Sequence, residues 1–138
     1  MKCRAFFFSL LFLGVSFTYS QNAPYRVVFD LTSRDSLDQL AAMRLIREIT
    51  AANPGAELEV VMYGKGFEMV MPEKTRVADE LSKAIAHPNV TFKVCEVALK
   101  NNKVDKTQLA KGVGTVPDGV YEIISKQHQG WGYIKVGH

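Results

Sequence analysis

Cysteine is what this sequence has least of after tryptophan. Its 138 residues contain two, Cys3 and Cys95. So small a number excludes the disulfide framework that holds many small exported domains together. Histidine is nearly as sparse. His87, His128 and His138 are scattered, and with one thiol they do not make a zinc-ligand spacing. The Gly-x-x-x-x-Gly-Lys-Ser/Thr phosphate loop is missing, and so is Gly-x-Gly-x-x-Gly. No Ser-His-Asp set can be located from spacing. Charge of one sign is also lacking, with 17 Lys and Arg against 14 Asp and Glu. Lys100, Lys103, Lys106 and Lys111 lie around Asp105 as a solvated face, so a nucleic-acid partner is not expected.

The one long hydrophobic run stands at the start. In MKCRAFFFSLLFLGVSFTYSQ, Lys2 and Arg4 precede an apolar core from Ala5 to Val15, and small or polar residues follow to Ser20. That is the layout of a secretory leader. The run is too short for a comfortable membrane span, and none is expected once the leader is removed. We place cleavage near Ser20–Gln21, which divides the chain into a leader at 1–20 and one domain at 21–138. Export, to a periplasm or beyond the cell, is the expected destination. Cys3, Lys2 and Arg4 leave with the leader. That takes two from the 17 basic residues and leaves a charge of about +1. Cys95 then stands alone, and an exported lone thiol pairs with another molecule, reacts, or is buried.

The remaining chain alternates. YRVVFDL (25–31) reads as a strand covered on both faces. Ser36 and Gln39 fit a capping box, and Leu37, Leu40, Ala41, Leu45, Ile49 and Ala52 recur at helical spacing until Asn53-Pro54-Gly55. ELEVVMY (57–63) is a second strand, followed by Gly64-Lys65-Gly66 and an FEMVM stretch that fits a short helix or a loop. A helix through Val77, Leu81, Ala84 and Ile85 ends before His87-Pro88-Asn89, and VTFKV (90–94) is the third strand. A short helix at 96–101, a turn opened by Asp105 with Gln108, and a short strand at 113–116 come next. Pro117 then starts a helix whose inner face is Val120, Ile123, Ile124 and Gln127, and WGYIKV (131–136) closes the chain. Such alternation predicts a three-layer α/β/α domain with a mostly parallel five-stranded sheet.

In such a sheet, ligands meet the loops beyond the carboxyl ends of the strands. Those loops are 30–35, 64–67, 95–96 and 117–119, and Cys95 lies among them. A following helix's free N–H groups would stabilise a thiolate there, burial would oppose it, and the neighbouring Glu96 would oppose it too. Lys65 is a candidate counter-charge. Burial is the common state of a free cysteine, so both roles stay open for Cys95. Gly64 and Gly66 allow a close backbone approach. Asp30 and Asp35 suit ligand binding, but loop and capping roles come first.

Four blocks carry a resemblance: YRVVFDLTSRDSLDQLAAMRLIREI, YGKGFEMV, FKVCEVAL and VGTVPDGVYEIISKQHQGWGYIKV, the last being the most distinctive. In this order, over nearly all of 25–136, they resemble the DsrE/DsrF-like family of sulfur-relay proteins. The resemblance implies a small domain of flavodoxin-like layering that assembles into homo-oligomers, trimers or hexamers. It implies that Cys95 is the catalytic carrier, taking sulfane sulfur from a donor protein or small sulfur compound as a persulfide. Gly64, Lys65, Gly66, Glu96, Pro117 and Gly119 would shape the cleft. Thiol-borne transfer of this kind needs no metal or organic cofactor. The alternative is a non-catalytic module that uses the same cleft to bind a small ligand, or the same fold to assemble.

Overall fold

The computed structural model describes residues 23–137, so the leader expected at 1–20, its cleavage site and His138 lie outside the described residues. In chain order come β1 (Arg26–Leu31), α1 (Ser36–Ala52), β2 (Glu57–Met62), a 3-10 turn (Gly66–Val70), α2 (Ala78–Ala86) and β3 (Val90–Cys95). Then follow α3 (Glu96–Asn101), a second 3-10 turn (Lys106–Gln108), β4 (Gly114–Val116), α4 (Gly119–His128) and β5 (Gly132–Val136). The strands lie in the order β4-β3-β2-β1-β5, and every neighbouring pair is parallel.

Parallel strands need crossovers, and crossovers are right-handed. The steps β1 to β2 to β3 to β4 all move the same way, so α1, α2 and α3 share one face. The return from β4 to β5 crosses back over the sheet, so α4 covers the other face. The packing divides accordingly. Phe29, Leu31, Leu58, Val60, Met62, Phe92 and Val94 join Met43 and Ile46 of α1, Leu81 of α2 and Leu99 of α3 in one large cluster. Under α4 there is a small one, Val28, Val61 and Ile123, with Tyr63 and Trp131 packed against it.

Helical period marked α1 but not the row that faces the sheet. Leu37 is 72% exposed and Leu40 45%, while Asp38, Gln39, Ala42, Met43 and Ile46 are buried. Both rows repeat at the same spacing, and Ala41, Leu45 and Ile49 lie at the margin of the core. The cap also differs. Asp35, not Ser36, caps α1: its Oδ1 accepts from Leu37 N at 2.7 Å, and Gln39 Nε2 reaches Arg34 O. The FEMVM stretch proves helical, as most of the first 3-10 turn. Asp105 and Gln108 form the reciprocal cap that their spacing predicted.

The inner face of α4 is a further correction. Val120 and Ile124 are 50% and 44% exposed, and Gln127 also faces out. Gly119 and Ile123 are buried instead, with Lys126 turned to Glu59. The strands present charge to this helix as well as apolar surface, so its inner row is mixed.

A glycine is required where the first 3-10 turn meets the end of β1. A Cβ on Gly66 would stand 2.1 Å from Leu31 O, whereas one on Gly55 would meet nothing within 4 Å. Gly66→Ala is expected to lower the unfolding free energy by about 2 kcal/mol or more. Gly55→Ala should stay within about 0.5 kcal/mol of the parent. Urea unfolding of the two variants side by side measures the difference.

Candidate functional site

Adjacent strands β3 and β4 send the chain to opposite faces, β3 into α3 and β4 into α4. In an open parallel sheet, the crevice beyond the carboxyl ends at such a divergence is where ligands bind. Cys95 is the last residue of β3, in register with Val116, the last of β4. It is extended (φ −66°, ψ 121°) and occupies the N-cap position of α3, with no side-chain capping bond.

The first turn of α4 rests against it. A Cβ on Gly119 would lie 3.1 Å from Cys95 Cβ, 3.3 Å from Val61 Cγ1 and 3.6 Å from Tyr63 Cβ. A residue without a side chain lets the helix start this close. Asp118 caps the turn, its Oδ1 accepting from Val120 N at 2.9 Å and Tyr121 N at 3.2 Å. The starts of two helices therefore converge on Cys95, and both carry partial positive charge. The residue itself is buried, 6% exposed. A cleft of about 440 Å³ opens over α3, walled by Glu96, Val97, Leu99, Lys106 and Pro117, among others, and Cys95 itself is not in its wall.

The expected neighbours divide into two groups. Glu96 does not leave an idle negative charge beside the thiol. Its Oε1 accepts from Lys106 Nζ at 2.6 Å and from Thr115 Oγ1 at 2.8 Å. The Lys106 bond, then the Thr115 bond, hold its carboxyl below the ordinary range. Pro117 is exposed and sits one residue before the cap of α4, not in its first turn. Gly119, Glu96 and Pro117 thus gather around Cys95. Gly64, Lys65 and Gly66 lie at the same edge but fold against the end of β1, with Lys65 N on Thr32 O at 3.1 Å. Gly64 takes φ 58°, a left-handed conformation that glycine adopts freely. Lys65 Nζ is engaged by Asn102 Oδ1 at the end of α3, at 2.5 Å.

Sequence reasoning missed a polar layer beneath α4. Asp30 and Glu59 are 4% and 3% exposed. Asp30 Oδ2 accepts from the Tyr133 hydroxyl at 2.7 Å and the Tyr63 hydroxyl at 3.2 Å, with Lys135 Nζ at 3.7 Å. Glu59 Oε2 meets Lys126 Nζ at 2.9 Å and accepts from Thr91 Oγ1 at 3.3 Å. Lys126 Nζ lies 4.3 Å from the centroid of the Trp131 ring. A signal was present. One charged residue interrupts each of VVFDL, LEVVM, TFKVC and YIKV, and side chains alternate along a strand, so Asp30, Glu59, Lys93 and Lys135 fall on one face.

The layer perturbs its members. The bond to Asp30, then burial, push Tyr133 up to about 12 from the ordinary 10.0. Tyr63 is raised by burial first and by the Asp30 charge second. Burial, then Glu59, raise Glu122. Among the described residues there is no group of three or more His, Cys, Asp or Glu placed to hold a metal ion. No helix among them is long and apolar enough to cross a membrane.

Comparison with known proteins follows the fold. The model of the DsrE/DsrF-like family matches residues 26–136. MTH1491 of Methanobacterium thermoautotrophicum, described as a protein of unknown function, is similar at 29% identity and a TM-score of 0.75. The match covers 80% of this chain and 98% of that one. The ychN protein of E. coli shares the fold at 13% identity and a TM-score of 0.65, over 82% of this chain and 99% of its own. No curated protein matches the sequence.

Tyr133 carries a pH prediction. Its folded value lies above its unfolded one, so the Tyr133–Asp30 bond stabilises fully below pH 10.0 and is lost as pH rises through about 12. Ultraviolet titration of the folded protein should show a tyrosine step near pH 12 that Tyr133→Phe removes and Asp30→Asn moves down toward 10.0.

Proposed function

The chain belongs to the DsrE/DsrF-like family, and from that premise we propose that it carries sulfane sulfur as a persulfide on Cys95. The observation that supports this reading most is the seat of the thiol. It lies where two helices begin and two strands part, with Gly119 holding no side chain against it. Loading is a displacement. The Cys95 thiolate attacks the sulfane sulfur, the bond from that sulfur to the donor breaks, and its electron pair leaves with the donor. The N-cap position of Cys95 sets the thiolate, and then the persulfide, at the positive end of α3. Glu96, tied to Lys106 and Thr115, adds little repulsion.

The proposal places this work outside the cytoplasm, on the leader-like composition of residues 1–20. It also places it in a homo-oligomer, a trimer or hexamer. The outward apolar side chains of α4, Val120, Tyr121 and Ile124, support assembly. The second reading, a binding module without transfer, draws on the 6% exposure of Cys95.

Incubation with polysulfide or thiosulfate, followed by intact-protein mass spectrometry, tests the first reading. The parent is expected to gain one sulfur and Cys95→Ser none. No gain under conditions that load an established persulfide carrier would overturn it. Thiol alkylation of the native protein separates the two readings further: carriage requires modification without denaturant, and a thiol that reacts only after unfolding fits the binding module.

A further inference from the structure

A cavity of about 240 Å³ lies between α1 and α2, at the end of the sheet away from Cys95. Its lining includes Val90, the first residue of β3, whereas Cys95 is the last. At about 3.3 Å per residue the two places are roughly 16 Å apart along the strand. From α1 come Met43, Ile46, Arg47 and Thr50. From α2 come Glu80, Lys83 and Ala84, with His87 following at its cap. Both sets are spaced i, i+3, i+4, i+7, so each is one stripe along its helix.

The lining divides by chemistry. Met43, Ile46 and Val90 are buried and apolar, and form its floor. Arg47 and Lys83 are exposed cations, and neither enters an ion pair among the described residues. His87 Nδ1 accepts from Asn89 N at 3.3 Å, which sets the imidazole proton on Nε2 as a further donor. Thr50 spends its hydroxyl on Ile46 O at 2.8 Å and leaves recognition to the cations. Glu80 is the one carboxylate in the lining, against the two fixed positive charges of Arg47 and Lys83.

We infer that this cavity binds a short aliphatic carboxylate, a fatty-acid anion of about six carbons, at a site separate from Cys95 and independent of its role. The alkyl chain lies on Met43, Ile46 and Val90, and the carboxylate meets Arg47 and Lys83. Size agrees. A water takes about 30 Å³ of liquid, so 240 Å³ holds about eight non-hydrogen atoms, the number in hexanoate. Charge agrees as well. A guanidinium fits a carboxylate through two parallel N–H bonds. An inorganic anion would leave the apolar floor facing water, and an alkyl amine would meet two like charges. Glu80 disfavours a second negative charge on the ligand.

Saturation-transfer NMR of hexanoate, hexan-1-ol and hexylamine against the protein tests the inference. Hexanoate should bind with a Kd of about 1 mM, ordinary for a ligand of this size. Hexan-1-ol should bind about tenfold more weakly, for want of the charged hydrogen bonds, and hexylamine more weakly still. Arg47→Gln should weaken hexanoate about tenfold and leave hexan-1-ol unchanged. Ala84→Leu, which fills the cavity, should remove binding of both. A urea midpoint establishes that each variant is folded, and exposed Arg47 keeps the test open where Ala84→Leu does not fold. Hexan-1-ol or hexylamine binding as tightly as hexanoate would overturn the inference. So would an unchanged hexanoate affinity in Arg47→Gln. No saturable hexanoate binding, as when a second copy of the chain covers the groove, would overturn it too. Sulfur loading at Cys95 enters none of these results.

Discussion

The one-way direction of the strands, combined with the right hand of their crossovers, governs this molecule. Three successive crossovers spend α1, α2 and α3 on one face of the sheet, and the single return from β4 to β5 leaves the other face to α4. Two consequences follow. The chain diverges between β3 and β4, which opens a crevice where Cys95 ends its strand. And one helix of ten residues must cover a face that five strands create.

The two faces are therefore held by different forces. Under α1 to α3 the core is aliphatic and aromatic, and burial drives it. Under α4 only Val28, Val61 and Ile123 form an apolar cluster, and buried acids supply much of the remaining contact. Lys126 joins α4 to Glu59 and lies over Trp131, while Tyr63 and Tyr133 close on Asp30. Of these contacts the Lys126–Glu59 pair is the one that ties α4 to the sheet, and removing either partner would leave a buried charge alone.

Much of this was legible in the residues. Strand and helix order, the alternation that implies a parallel sheet, and the position of Cys95 at a strand end all followed from pattern. Asp30, like Asp35, suits ligand binding by residue type, with loop and capping roles ahead of it. A carboxylate inside a strand gains meaning only when its neighbours are known. Tyr133 and Lys135 are more than one hundred residues away in sequence and become neighbours through β1–β5 pairing. Periodicity also failed to choose between the two apolar rows of α1, since rotation about a helix axis leaves spacing unchanged.

Local chemistry in the sequence determined which segments are strands and where helices stop, because those properties depend on neighbours along the chain. Tertiary structure alone decided that Gly119 meets Cys95, that Glu96 is occupied by Lys106 and Thr115, and that Asp30 receives two tyrosine hydroxyls. Each of these depends on how separate elements are brought together, and a parallel sheet brings them together through long-range pairing that short-range pattern does not encode.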